Sequence, residues 1–412
     1  MAKIKPFKGL RPDENKVKDV ASPPYDVLNS EEARERVENR PNSFLHVVKP
    51  EIDLPKDINV YDEKVYQKGR ENLQNLIKEK VMIQDNKDCY YLYKLVMDDI
   101  AEVGLVAGAS IEDYENDVIK KHEHTRAKKE ADRIKHVDTL NANTGPVFLT
   151  YKAKDEIDKL FKNVMKSDPV YDFDAEDGVK HTFWKISDEA TIKKITEQFK
   201  DIDNLYVADG HHRSASGTIV GQRRRKANPN HTGNEEYNFF LSVIFPHNQL
   251  YIMDYNRVVK DLNGLTKDEF LQKVEQKFKL EKSEEAVKPE QKHNFGMYLD
   301  GQWFKLTAQE ESFDSDDPVN SLDVAILQNN LLTPILNIGN PRKDERIDFV
   351  GGIRGLNELE RRIDAGEAVA FSMFPTSIEE LMEIADAGKV MPPKSTWFEP
   401  KLRSGIIVHL LD

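Results

Sequence analysis

A short apolar run, Leu205-Tyr206-Val207, leads directly into Ala208-Asp209-Gly210-His211-His212-Arg213 and then into a helix-forming stretch reaching about Lys226. This junction constrains the chain more than any other feature. A buried strand that meets glycine and then a helix must turn sharply. The turn leaves the first helical N–H groups without carbonyl partners, and that arrangement attracts anions. Here it also carries a carboxylate, two imidazoles and a guanidinium within five residues. Asp can hold a metal ion or accept a proton, and His can act as acid, base or ligand. Arg suits bidentate capture of phosphate or carboxylate. Singly, each has a bland explanation: a helix cap, a half-exposed ring, a solvated cation. Together in one turn they read as part of an active site.

The surrounding pattern predicts a mixed α/β chain. Asn29-Ser30-Glu31-Glu32 starts a helix, with a cap and early carboxylates. Residues 60–80 read as a helix with Val65, Leu73, Leu76 and Ile77 on one side. Residues 90–97 and 100–109 read as a hairpin turning at Asp98-Asp99, and 111–141 as a polar helix. Residues 147–151 form a strand, 155–165 a helix, and a second hairpin turns at Glu176-Asp177-Gly178. A helix over 188–199 then precedes the 205–207 strand. Strands over 238–245 and 250–255 are expected to pair, and a further hairpin turns at Asp300-Gly301. The last hundred residues alternate helices (320–332, 356–365, 377–387) with strands (347–350, 369–374, 406–411). No internal repeat is evident. The stretches 226–235 and 280–292 resemble linkers most, yet neither is long or biased enough to separate domains. The expectation is one continuous catalytic body over 1–412, with possible substructures 1–226 and 235–412.

Composition narrows the partners. The chain has 412 residues, 39% hydrophobic and 32% charged, so it can bury a core. A net charge of −13 disfavours nucleic acid and anionic membranes as partners. A lone cysteine, Cys89, precludes an internal disulfide framework and suits a cytoplasmic location. No apolar run reaches the length of a membrane span, and the first residues do not form a signal peptide.

Three more clusters carry chemistry. Lys120-Lys121-His122-Glu123-His124-Thr125-Arg126 falls inside or near the start of a helix. Its histidines are two apart, so they would not share a helical face, and the zinc-protease spacing is absent. Glu123 fits better as a general base or magnesium ligand; a charged, solvated face is the competing explanation. The loop from Met391 to Gly405 stiffens Lys394, Ser395, Thr396, Lys401 and Arg403 with prolines and suits a phosphate group. Ser22-Pro23-Pro24-Tyr25-Asp26 is a stiff turn that could offer Asp26 to a site, and Asn143 could contact a small substrate. Walker, dinucleotide-binding, protein-kinase and Gly-x-Ser-x-Gly signatures are all missing.

Four of these features together resemble one family: Ser22–Asp26, His122–Thr125, Ala208–Arg213 and Met391–Gly405. They are similar to bacterial proteins of the domain of unknown function 1015, over essentially the whole chain. The resemblance implies a ParB/sulfiredoxin-like core with mixed sheets and peripheral helices. Within that superfamily the Asp-Gly-x-His-Arg type of loop is similar to that of archaeal free-serine kinases. The implied activity is phosphorylation of L-serine to O-phosphoserine, with pyrophosphate, ATP or ADP as donor and magnesium as cofactor. Asp209, His211, His212 and Arg213 would handle phosphate, Asp209 would hold the metal, and Glu123 or Asp26 would be the base. His122, His124, Asn143, Lys394, Ser395, Thr396, Lys401 and Arg403 complete the candidate set. A metal-dependent phosphoester hydrolase and a ParB-like DNA-binding or regulatory protein are the alternatives. The sulfiredoxin-type cysteine is absent from the loop.

Overall fold

The computed structural model describes residues 1–412, a mixed α/β chain. It divides into two compact units: Met1–Leu250 with Pro400–Asp412, and Tyr251–Glu399. The division thus falls at 250/251 and 399/400, outside the two linker-like stretches. Residues 226–235 are tied into the first unit, where Asn228 donates to the Tyr237 hydroxyl and Glu235 accepts from Thr232 and Gly233. No helix is long and apolar enough to cross a membrane.

A nine-stranded mixed sheet organises the first unit. Its order is Ile119–Lys120, Leu205–Asp209, Val147–Tyr151, Phe239–Pro246, Ile100–Ser110, Tyr90–Met97, Lys180–Ile186, Tyr171–Asp174, with Ile4–Lys5 also pairing Ile100–Ser110. Two pairings are parallel: Leu205–Asp209 with Ile119–Lys120, and Phe239–Pro246 with Val147–Tyr151. The central strands are apolar on both faces, as a sheet covered on both sides requires. On one face the helices Asp155–Val164 and Glu189–Lys200 bury Ile157, Phe161, Ile195 and Phe199 in the main core. Smaller clusters collect the Glu63–Lys78 helix with Leu140, and the Ala127–Leu140 helix with Val220 of the His211–Ala227 helix.

The Asn29 capping box, the hairpin at Asp98-Asp99 and the hairpin at Asp300-Gly301 form as expected. Several expectations are corrected. Residues 111–141 are not one helix. A short helix, Ile111–Glu115, and the Ile119–Lys120 strand precede an irregular stretch, and the Ala127–Leu140 helix follows. The chain there is drawn into the sheet by Leu205 and Tyr206, a tertiary pull that local polarity does not reveal. Ile77 is 38% exposed instead of inward. The strands near 238–245 and 250–255 do not pair with each other. Phe239–Pro246 sits between two other strands, while Tyr251–Met253 pairs with Trp397–Glu399. Residues 266–279, whose pattern predicts one helix, instead form a helix that ends at Val274 and a strand, Phe278–Ser283. The final strand shrinks to His409–Leu410.

The second unit is built on a six-stranded antiparallel sheet. Its order is Phe278–Ser283, Gln302–Ala308, Asn294–Leu299, Val369–Ser372, Tyr255–Val259, Ile347–Gly351. The Leu356–Asp364 helix packs Leu359 and Ile363 onto Val258, Tyr298 and Ala370.

One glycine holds the His211–Ala227 helix at its seat. A Cβ on Gly221 would lie 2.4 Å from the Tyr237 carbonyl oxygen and 2.6 Å from Ile111 Cδ1. In an open helix Gly→Ala gains about 1 kcal/mol. At Gly221 the clash reverses the sign, and Gly221→Ala is expected to lower stability by roughly 1–3 kcal/mol in urea denaturation. An unchanged or raised midpoint would show that this contact does not hold the helix.

Candidate active site around Asp209

The Leu205–Asp209 strand is fully buried until its last residue. Its pairing with Val147–Tyr151 is regular at Tyr206 and Val207 and then slips, so that Asp209 stands opposite Phe148. Such a bulge re-aims the strand end. Gly210 follows at φ +96°, where a side chain is strained, and a Cβ there would touch the Val147 backbone at 3.4 Å. The helix begins at His211. Gly210 N–H donates to Asp209 Oδ1 at 2.7 Å. The N–H groups of His211 and His212 stand in the first turn, where no helical carbonyl reaches them.

Two cations face the Asp209 carboxylate. Lys401 Nζ donates to Oδ2 at 3.2 Å, and the Arg213 guanidinium lies nearby. Burial of the surroundings pushes the carboxyl up. Lys401, Arg213 and His211 outweigh that and hold it down at about 2. Arg213 itself is mostly buried. It donates to the Pro146 carbonyl at 2.9 Å, stands 3.5 Å from Asp26 Oδ1, and lies 5.3 Å from the Tyr25 ring centre. Arg133 approaches the same ring at 4.3 Å. Two guanidinium groups thus approach the Tyr25 ring, and burial beside Asp26 raises its hydroxyl to about 12.

The imidazoles occupy distinct positions. His122 and His211 are buried, with rings edge to face at 4.4 Å. Burial and the neighbouring His211 hold the His122 pKa well below its usual range, while a bond to the Val207 backbone works weakly the other way. Glu123 Oε2 lies 4.0 Å from His211 Nδ1. His212 Nε2 accepts from the Arg126 N–H at 3.0 Å, so this ring anchors the 121–126 segment.

The structure gathers Asp26, His122, Glu123, Asp209, His211, His212, Arg213 and Lys401 in the first unit. It gives other candidates different surroundings. His124 is exposed. Asn143 is buried and its Oδ1 accepts from Leu241 N–H at 3.0 Å, yet it lines one cavity together with Tyr25, Arg133 and Arg213 and so stays beside the site. Arg403 is committed elsewhere: it pairs with Asp177 and donates to His181 Nε2 at 3.4 Å. Lys394, Ser395 and Thr396 belong to the second unit, so the 391–405 loop is not one element. There the Ser395 hydroxyl donates to Pro392 O at 2.7 Å, and Lys394 Nζ stands 5.3 Å from the Tyr255 ring centre. Sequence reasoning passed over Tyr25 and Arg133. The signal for Tyr25 was its place beside Asp26 in a stiff Pro-Pro turn; nothing local marked Arg133.

The donor set also bears on magnesium. That ion takes one or two carboxylates and completes its shell with water and substrate phosphates. Asp209 is 46% exposed at its side chain and offers one such carboxylate. No group of three or more His, Cys, Asp or Glu side chains is arranged to hold a metal. The residues fit a cation that arrives with phosphate oxygens, and they do not form a protein-only cage.

The family model described as "Protein of unknown function (DUF1015)" matches residues 4–325. No curated protein matches the sequence. Among solved structures, the chain is similar to a variant of a free serine kinase in complex with ADP. That match has 16% identity and a TM-score of 0.37, and covers 70% of this chain and 89% of that one. It is also similar to a C-terminally truncated SbnI from Staphylococcus aureus, at 11% identity and a TM-score of 0.39, covering 73% and 85%. A conserved hypothetical protein from Pyrococcus furiosus matches at 15% identity and a TM-score of 0.36, covering 71% and 93%.

Three buried imidazoles give a pH signature. Burial depresses His122 well below the usual range, and depresses His136 and His181 to about 3. The unfolded chain therefore binds protons that the folded chain refuses. Their contribution to stability is whole above about pH 6.5 and is lost as pH falls below it. Each adds a slope of roughly 1.4 kcal/mol per pH unit at most. Urea midpoints at pH 7.5 and 5.5 should fall with acidity, and His122→Asn should flatten the fall. An identical pH slope in that variant would place His122 outside this account.

Proposed function

We propose, for a chain that belongs to the DUF1015 family, that the Asp209 turn is the phosphate-handling half of a kinase acting on the hydroxyl of free L-serine. The observation that carries this reading is the convergence of Lys401, Arg213 and an open helix N-terminus on one half-exposed carboxylate. Phosphoryl transfer asks little covalent work of a protein. It needs an oriented hydroxyl, a base, and positive charge around the moving group. Lys401, Arg213 and the first N–H groups of the His211–Ala227 helix supply the charge. ATP, ADP or pyrophosphate is the donor.

The base is Asp26 in this proposal. It is the exposed carboxylate beside Arg213, so a hydroxyl next to an Arg213-held phosphoryl lies within its reach. Glu123 faces His211 instead and orients that ring toward the leaving phosphate. Buried neutral His122 backs His211 and keeps it in place. Asp209 would hold magnesium together with donor phosphates; when bound, the ion neutralises charge on them. The relation to the ParB/sulfiredoxin superfamily belongs to the same proposal, as does a cytoplasmic location. A hydrolase with histidine metal ligands is less favoured, because His122 and His211 are packed against each other with no third ligand.

The test is production of O-phosphoserine from L-serine with magnesium and each of ATP, ADP and pyrophosphate, read by mass spectrometry. One donor should give product; none doing so would sink the kinase reading. Asp26→Asn is expected to lower kcat by about 10²–10⁴ with little change in KM for the donor. Glu123→Gln should cost roughly tenfold, through His211. The reverse order would transfer the base role to Glu123.

A further inference from the structure

The second unit contains a pocket of its own, with a cavity volume of about 320 Å³. That is the size of sites for small organic ligands. It is lined by Arg257, on the Tyr255–Val259 strand, and by Arg342. The walls are mostly apolar, with Val324, Leu332, Ile347, Phe349 and Met391 among them and Gln328 and Asn340 as neutral polar members. No Asp or Glu lines it.

Arg257 is the anomaly. It is 3% exposed, yet its guanidinium has no carboxylate partner. It donates to the Tyr255 carbonyl and, at 3.0 Å, to the Lys394 carbonyl. The Phe349 ring centre lies 5.4 Å away. Five N–H donors are available on a guanidinium, so these contacts leave some unspent. Carbonyls and a ring face do not neutralise a full charge, and a buried charge without a counter-ion is costly. Burial alone lowers this arginine to about 10, which reflects that missing partner.

We infer that the Arg257 pocket binds a small organic anion, with one phosphate or carboxylate group on Arg257 and Arg342 and an apolar or aromatic body against Phe349 and the aliphatic walls. The anion supplies the counter-charge that the chain lacks. The site belongs to the second unit and does not depend on the reaction proposed at the Asp209 turn.

Isothermal titration calorimetry on the full chain tests this with three probes: phenyl phosphate, benzoate and inorganic phosphate. Phenyl phosphate or benzoate should bind at least about tenfold more tightly than inorganic phosphate, and which of the two binds better identifies the anionic group. Arg257→Met should weaken that binding by more than about tenfold, and Arg342→Ala by about three- to tenfold. Lys401→Met, a change in the first unit beside Asp209, should leave it unchanged. Absence of binding by both organic probes overturns the inference. So does unchanged affinity in an Arg257→Met protein shown to be folded by circular dichroism. If that variant does not fold, Arg342→Ala decides: unchanged affinity overturns the site, and a loss of threefold or more supports it. Binding of inorganic phosphate as tight as that of phenyl phosphate overturns the apolar part of the assignment. Because the readout is binding, failure of serine phosphorylation leaves the result intact.

Discussion

The turn at Gly210 is the constraint from which the first unit's chemistry follows. A strand buried on both faces cannot continue into solvent without exposing apolar side chains. Here it slips by a bulge, turns through a left-handed glycine and becomes a helix. That one backbone path points Asp209 outward, buries His211 against His122, and swings Arg213 under Tyr25. A side chain at Gly210 would be strained by the positive φ of the turn, so the geometry of three functional side chains depends on one missing methyl group.

Electrostatics then sets what the turn can do. The carboxylate of Asp209 stays ionised because two cations and a histidine outweigh the desolvation that opposes it. Those cations remain close to solvent on the Lys401 side, so an incoming phosphate group can share them. His122 shows the opposite balance: burial wins and the ring stays neutral. One site thus holds a fixed anion, fixed cations and a buried, neutral His122. Under the proposed reading that mixture suits phosphoryl transfer. Arg257 in the second unit extends the theme. There a buried cation has been left without any anion.

Local signals were legible where structure is local. The Asn29 capping box, the turns at Asp98, Gly178 and Gly301, and the strand-to-helix junction at Asp209 each rest on backbone preferences spanning a few residues. The misreadings share a cause. Residues 111–126 looked helical because they are polar, but sheet pairing by Leu205 and Tyr206 claims Ile119 and Lys120. Residues 238–255 looked like a hairpin because two strands follow in order, but Phe239–Pro246 is taken by two partners from earlier in the chain.

The sequence by itself determined that an anion-attracting turn exists and that Asp209, His211 and Arg213 share it, because four or five adjacent residues suffice to build such a turn. Only the tertiary structure decided which distant groups complete it. Lys401 reaches Asp209 across 192 positions, and Asp26 reaches Arg213 from the Ser22–Asp26 segment. It also decided that Arg403 serves Asp177 and His181, and that Lys394 lies in another unit. The physical reason is that a cation goes to whichever carboxylate or carbonyl the packed core brings within reach, and spacing along the chain carries no record of that choice.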